Sequence, residues 1–428
     1  MALSPVESDE VAFLRVHLDW VGIVGSAAYS QLANVLGAAV NISPQRVLIG
    51  FSHTHAAGIF SAHRTDKPGG ELIRPYLVSV QEKLADAARR AVVSMQPVVM
   101  THAAGSCAMG RNRDYWDQKR GRYVCGFNPD AASDQTLMVV RITDASVRPV
   151  GTIVNYGCHP TTLAWDNTLV SPDYVGAMRE LVEQHTEAPC VFALGACGDV
   201  GPQAGFVGDP HVADRNGRQL GFAALSTLMS MGPPQTDFVY QGPVVSGATL
   251  GTWAHVPFDA TRAEQVKRFD GGTYSVQLPT IDLLDSRTLR RDLDDWTQKA
   301  ASADRDGHPI AARDAAAQAE RARRWLERLE SIPADRDFPL SFSVLRMGDA
   351  LWVSCAGEPY ACIEVELRRR LSRFAVIFTP LVGPMDVAYL LPADRYGKGL
   401  YQQEPSMLAA GCLERLVEAI AQKIEALL

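Results

Sequence analysis

Apolar and polar positions along the first 240 residues predict strands and helices in alternation. Apolar runs of roughly four to eight residues bounded by small or polar ones are typical of buried strands, whereas apolar residues three and four apart are typical of helices. The expected strands are 47–51, 137–142, 150–156 and 190–194, and the expected helices are 27–39, 71–93, 174–185 and 216–229. This alternation predicts an α/β fold of layered mixed β-sheets flanked by helices.

The segment from about residue 256 to 337 has a different character. It is charged and rich in Ala, Arg and Glu, and 310–332 has the spacing of one long helix. It could form a cap, a dimerisation arm or an outer helical layer. Strand patterns return at 342–346, 351–355 and 374–378, and an amphipathic helix is expected over 409–428. Because we find no internal repeat and no low-complexity linker, we expect one composite domain over 1–428, with 256–337 as a mainly helical insertion or outer layer.

Two short histidine motifs follow predicted strands and carry the main chemical signal. The sequence SHTH occupies 52–55 after the strand 47–51, and GCHP occupies 157–160 after the strand 150–156. Side chains at strand ends point into the crevice where open α/β sheets bind ligands. Because neutral imidazole is the commonest protein ligand for zinc, His53 and His159 predict a metal site.

A catalytic zinc usually takes three protein ligands and leaves a position open for water. Glu358, which follows the predicted strand 351–355, is the expected third ligand, and a glutamate in a surface turn is the alternative interpretation. Asp386 and Tyr389 are candidates for a fourth contact.

Composition and charge exclude several classes of function. The chain has 428 residues, 47% of them hydrophobic, and a formal net charge of −7, with no basic stripe of the kind that binds nucleic acid. We find no apolar run of about 18 residues that would span a membrane and no secretion signal near the start. The eight cysteines form no CxxC pair. We therefore expect a cytoplasmic protein with reduced thiols and a small-molecule substrate, and the Ala/Arg/Glu-rich helix leaves a homo-oligomer possible.

Together with further motifs, the histidine motifs resemble the neutral/alkaline non-lysosomal ceramidase family in sequence, order and spacing. The resemblance is closer to the family's shorter bacterial members than to the ceramidases proper. The motifs are SHTH at 52–55, GSCAMGRNR at 105–113, NYGCHPT at 155–161, SPDY at 171–174, GACGDVGP at 195–202, GEP at 357–359 and, more weakly, YLLP at 389–392 followed by Tyr401. The resemblance covers roughly residues 15–405. It implies a ceramidase-like catalytic domain with one zinc ion per chain, here without the family's C-terminal immunoglobulin-like domain.

Carried over by motif, the resemblance implies His53, His159 and Glu358 as zinc ligands. The fourth ligand stays open, because Asp386 stands where the family has its ligand tyrosine and Tyr389 is the later tyrosine.

The resemblance also implies roles outside the ligand set. His55, the second histidine of SHTH, is expected to be an acid/base or oxyanion group, and Arg113 to anchor a substrate oxygen or carboxylate. In ceramidases the loop at 198–202 carries an essential serine, and here that position is Gly201. Serine-dependent ceramide cleavage is therefore not expected, although backbone N–H groups of the loop can still face an anion.

Two acidic residues beside these motifs have two interpretations each. Asp173 and Asp199 either brace the ligating histidines or serve in helix capping and loop stabilisation. Four aromatic residues are candidate pocket residues, although single aromatics are more often core: Trp116, Trp165, Trp253 and Phe206.

The combined expectation is a zinc-dependent hydrolase in which a metal-activated water cleaves an amide (N-acyl) bond of a small soluble substrate. One alternative is a metal-dependent esterase, deacetylase or other hydrolase acting on a sugar or xenobiotic. The other is a degenerate, non-catalytic binding member of the family, suggested by the missing serine and ligand tyrosine.

Overall fold

The computed structural model describes residues 1–8, 10–61, 64–333 and 337–428. Its α-helices are α1 (Ser26–Val40), α2 (Ile73–Val93), α3 (Tyr174–Thr186), α4 (Pro210–Met229), α5 (Ala260–Gln265), α6 (Ser286–Arg305), α7 (Pro309–Leu329), α8 (Cys362–Arg370) and α9 (Cys412–Glu425). Its strands in the first half are β1 (Ala2–Leu3), β2 (Phe13–Leu18), β3 (Val47–Phe51), β4 (Val99–Ser106), β5 (Gly110–Asn112), β6 (Asp114–Asp117), β7 (Arg122–Cys125), β8 (Thr136–Thr143), β9 (Pro149–Tyr156), β10 (Cys190–Leu194) and β11 (Val200–Pro202). The later strands are β12 (Thr236–Val245), β13 (Thr249–Pro257), β14 (Phe269–Pro279), β15 (Asp337–Met347), β16 (Ala350–Cys355), β17 (Glu358–Pro359), β18 (Ala375–Thr379) and β19 (Tyr389–Leu390).

Three larger sheets form the body of the molecule. Their strand orders are β1-β2-β3, β10-β9-β8-β4 and β14-β15-β16-β18. Each contains one parallel pair: β2 with β3, β9 with β10, and β16 with β18. Two short strand pairs, β5-β11 and β17-β19, join loops that follow strands of the larger sheets. β11 follows β10, β17 follows β16 and β19 follows β18.

The core lies between the sheets and beneath helices on both outer sides. One apolar cluster joins all three sheets through residues such as Leu48, Ile153 and Trp352. A second packs α1, α3 and α4 on the first two sheets, and a third packs α7, α8 and α9 on the sheet that contains β16. These layers of mixed sheet flanked by helices confirm the predicted α/β class.

The predicted elements match the structure to within a few residues where the apolar period is clear, as in 190–194 and 174–185. The segment 256–337 is less uniformly helical than expected. It holds α5, α6 and α7, but also β14, an edge strand of a main sheet. The residues of β14 are mostly exposed or half-buried, so its sequence gives only a weak strand signal. For this reason β14 was not predicted.

None of the described helices is both long and apolar enough to cross a membrane. All eight cysteines are free thiols, and Cys107, Cys158 and Cys197 are buried beside the motifs. Burial raises the pKa of the Cys158 thiol well above its ordinary value, which suits a packing role.

Candidate metal centre

His53 is held by the backbone just after β3. It adopts a left-handed conformation with φ of 66°, which is uncommon for a residue other than glycine. Its N–H donates to the Trp20 carbonyl over 2.9 Å, and its ring Nδ1 lies 2.5 Å from the carbonyl oxygen of Val21. The backbone and Nδ1 of His53 are therefore both held, and Nε2 faces Glu358.

His159 is fixed in the same way after β9. It is fully buried, its N–H donates to the Val200 carbonyl, and its Nδ1 lies 2.6 Å from the carbonyl oxygen of Cys197. A carbonyl oxygen only accepts hydrogen bonds, so each ring carries its proton on Nδ1 and presents a lone pair at Nε2. The backbone thus supplies the partner that orients a metal-binding imidazole.

Glu358 completes the cluster from the segment that follows β16, a strand of the third large sheet. It is the first residue of β17, lies opposite Tyr389 of β19, and is 5% exposed. One of its oxygens, Oε2, lies 3.1 Å from Nε2 of His159 and 3.3 Å from Nε2 of His53. Three strand ends that are far apart in sequence therefore deliver three donor atoms to one point.

The protonation states of these groups suit a metal. Burial, reinforced by the charge of Arg113, lowers the pKa of His159 to about 3, so the ring is neutral near pH 7. The imidazoles of His53 and His159 and the carboxylate of Glu358 form a donor set that zinc binds.

The buried acceptor atoms of the centre face one another without a positive charge between them. Two imidazole lone pairs and a carboxylate oxygen face one another at 3.1 and 3.3 Å, and Nε2 of His53 is buried without a hydrogen-bond partner. Such a buried acceptor is costly unless a proton or metal ion lies among the atoms. The residues present therefore fit a bound metal ion.

His55 stands beside this cluster at the protein surface. Its ring centroid lies 4.8 Å from that of His53 and 5.9 Å from that of His159. The ligand atoms of the three histidines all lie within 4.8 Å of one another, so the group could hold a metal ion. His55 differs from the other two because it is exposed, which places it where a bound molecule could reach it.

Arg113 and Tyr389 lie beside His159 at the centre. Arg113 is buried and donates to the Gly198 carbonyl and, over 3.0 Å, to the hydroxyl of Tyr389. That hydroxyl lies 3.5 Å from Nε2 of His159. Burial raises the pKa of Tyr389 well above its ordinary value, although the Arg113 charge opposes this, so the hydroxyl stays protonated.

The structure places Asp386 in a different role from the predicted metal ligand. Its Oδ1 accepts from the N–H of Gly25 and its Oδ2 accepts from the Ser26 hydroxyl, at 2.9 and 2.8 Å. Both oxygens are therefore engaged at the start of α1, where a carboxylate interacts favourably with the helix dipole. Of the two candidates for the fourth contact, it is Tyr389 that lies beside His159.

Asp173 and Asp199 serve in capping and loop stabilisation rather than bracing the histidines. Asp173 caps α3 by accepting from the N–H of Tyr174, and its other oxygen accepts from the N–H of Leu163. Asp199 accepts from the N–H of Ala361 over 2.8 Å and so ties its loop to the segment after Glu358.

Gly201 lies within β11, beside the centre. A Cβ atom added there would meet Arg113 Cδ at 3.7 Å and Thr161 Oγ1 at 3.9 Å, which are ordinary contacts. The position is open rather than sterically required to be glycine.

A pocket of about 550 Å³ opens beside His55. Trp165 and Phe206, two of the four aromatic candidates, line it, whereas Trp116 packs on Tyr123 and Trp253 lies in the hairpin β12-β13. The pocket wall also contains Thr161 of the NYGCHPT motif and residues that the sequence interpretation did not single out, Leu163, Ala164, Asn167, Thr168, Leu169 and Val170. The only feature of the sequence that could have identified these pocket residues is their position directly after the second histidine motif.

Comparison with known proteins gives a fold but no sequence family. No family model and no curated protein sequence matches the chain. Among solved structures, a ceramidase complexed with C2 is similar over 98% of this chain and 68% of its own, with a TM-score of 0.61 and 15% identity. The neutral ceramidase from Pseudomonas aeruginosa is similar over 95% of this chain and 65% of its own, with a TM-score of 0.59 and 15% identity. The chain spans about two thirds of the length of these proteins, and it has a ceramidase-like fold.

Proposed function

We propose that the protein is a zinc-dependent hydrolase that cleaves an amide bond of a small N-acylated substrate. The observation that carries the proposal is the convergence of Nε2 of His53 and Nε2 of His159 on one oxygen of Glu358. The ceramidase-like fold supports the same chemistry.

His53, His159 and Glu358 would hold the ion, with Tyr389 beside them. A zinc ion in such a site lowers the pKa of a bound water to about 7 and polarises a carbonyl oxygen. The backbone carbonyls of Val21 and Cys197 keep both rings in the ligating tautomer.

The remaining residues supply orientation and proton transfer. His55 is exposed to the pocket and reaches the centre, so it is the group placed to take a proton from the attacking water and then give it to the departing amine. Arg113, buried and fixed on the Gly198 carbonyl, holds the Tyr389 hydroxyl toward the centre. The apolar wall of the pocket accommodates the acyl group. Because Gly201 offers no hydroxyl, the proposed reaction uses no serine at that position.

Metal content tests the proposal first. Plasma mass spectrometry of the purified wild type should find about one zinc per chain, and His53→Ala/His159→Ala should lose it. His185→Ala, which changes an exposed histidine on α3, is the matched control and should keep the metal. Absence of metal from a folded wild type would overturn the proposal and leave a non-catalytic binding protein.

Activity on paired substrates tests the bond type. The zinc-loaded protein should hydrolyse N-acyl amides, and the corresponding ester and N-acetyl sugar distinguish the esterase and deacetylase alternatives. Zinc without hydrolysis of any amide would contradict the amidase assignment while leaving the metal site in place.

A further inference from the structure

A second cavity, of about 340 Å³, lies under α7 on the side of the centre formed by Tyr401. Arg321, Arg324 and Arg328 of α7 line it together. Residues three, four and seven apart share one face of a helix, so three cations are aligned along this wall. Tyr401 links the cavity to the centre, because its ring packs 5.9 Å from that of Tyr389.

Two of the three arginines are neutralised by carboxylates. Arg324 pairs with Glu320 at 2.8 Å, and Arg321 pairs with Glu404 at 2.7 Å. Both members of the second pair are about half exposed, with side-chain exposures of 47% each. These pairs form a solvated rim and do not call for a ligand.

Arg328 is the exception. It is 8% exposed, its Nε has no hydrogen-bond partner, and no carboxylate of the residues that the structure describes forms an ion pair with its guanidinium. Its contact is the face of buried Trp325, with its guanidinium carbon 5.6 Å from the ring centroid. A buried, unpaired cation is expensive, and a ring face compensates only part of that cost.

The carboxylates that attract Arg328 from a distance are those of Glu358 and Asp386. In the proposed function Glu358 belongs to the metal, and both oxygens of Asp386 are hydrogen-bonded at the start of α1, so neither pairs with Arg328. A positively charged, donor-rich wall therefore remains beside the centre. Guanidinium groups in this situation bind carboxylates or phosphates through paired, charge-assisted hydrogen bonds.

We propose that Arg328 binds an anionic group, a carboxylate or a phosphate, of the substrate. The inference rests on the proposed function for the reaction, and it narrows the substrate class to N-acylated compounds with an acidic group, such as N-acyl amino acids. Arg328 is a specificity-determining residue in this proposal and does not take part in bond cleavage.

Binding of inert analogues tests the proposal without requiring turnover. In the probes a methylene replaces the N–H of N-hexanoylglycine, and the terminal group is a carboxylate, a phosphonate or a neutral carboxamide. Calorimetric titration of the full-length protein at fixed ionic strength should show that an anionic probe binds on the order of 10- to 100-fold more tightly than the carboxamide. Comparison of the carboxylate and phosphonate probes identifies which anion the site prefers.

Arg328→Gln should reduce that preference to about twofold or less, and its thermal stability should equal or exceed that of the wild type because an unpaired buried charge is removed. Arg321→Gln, on the rim, is the matched control and should keep the preference. Should Arg328→Gln fail to fold, Arg328→Lys keeps a charge without the bidentate geometry and should show an intermediate preference.

Equal binding of charged and neutral probes by the wild type, or a preference that survives in Arg328→Gln, would overturn the proposal. The proposed function fails separately: a protein that prefers anionic probes but hydrolyses no acyl substrate retains the anion site and lacks the activity.

Discussion

Gly201 provides a sharp test of the site geometry, because the structure predicts that a serine fits there. The backbone of Gly201 is not in the left-handed region, so a side chain causes no backbone strain. The nearest atoms to an added Cβ belong to Arg113, at 3.7 and 4.0 Å, and Thr161, at 3.9 Å. Replacing a glycine at a compatible position typically stabilises a protein by about 0.4–1 kcal/mol through the unfolded state. Gly201→Ser should therefore raise the free energy of unfolding by about 0.5 kcal/mol.

Gly198, three residues earlier in the same loop, is the matched control. A Cβ there would lie 2.8 Å from the carbonyl oxygen of Glu358 and 2.9 Å from the carbonyl group of Pro359. These are backbone atoms, so relief requires the ligand-bearing segment to move. Overpacking of this kind costs typically about 1–3 kcal/mol. Gly198→Ala should be destabilised by that amount and should also bind zinc more weakly.

Urea unfolding followed by circular dichroism measures both free energies, and metal content is read on the same samples. Gly201→Ser should keep its zinc, and its rate on an N-acyl amide should stay within about threefold of the wild type, because the proposed reaction uses no hydroxyl at that position. A loss of more than about 1 kcal/mol in Gly201→Ser, or none in Gly198→Ala, would refute the packing described for this loop.

Three further predictions concern other residues. Asp386→Ala should keep its zinc and lose about 1 kcal/mol in free energy of unfolding, because the substitution removes two hydrogen bonds at the start of α1. Loss of zinc from this variant would instead restore Asp386 as a metal ligand. His55→Ala should keep its zinc and lose roughly 10²–10⁴-fold in kcat, measured on the best amide substrate, and an unchanged kcat would remove His55 from the reaction. Burial raises the pKa of Glu364 to about 7, so the folded state binds this proton more tightly than the unfolded state does. The free energy of unfolding should therefore fall as the pH rises from about 4.5 to 7. The corresponding fall in urea midpoint should be smaller in Glu364→Gln, and identical pH profiles would contradict the raised pKa.

Local sequence pattern was enough to predict the elements that position the centre. Strand 47–51 and strand 150–156 are short apolar runs that end in a histidine motif, and the structure has β3 and β9 there. A buried strand is recognisable because most of its positions are apolar. The exposed hairpin β12-β13 and the edge strand β14 lack that signal, so they were visible only in the structure.

The sequence by itself determined the candidates: the histidines, Glu358 and Arg113, and the strand ends that carry them. Only the tertiary structure decided their relations. His159 and Glu358 are 199 residues apart, and Arg113 and Tyr389 are 276 apart, so their contacts depend on how three sheets pack. It also decided that both oxygens of Asp386 are hydrogen-bonded at the start of α1, and that Nε of Arg328 is buried without a hydrogen-bond partner among the described residues. Burial and pairing arise from distant segments that no local pattern reports.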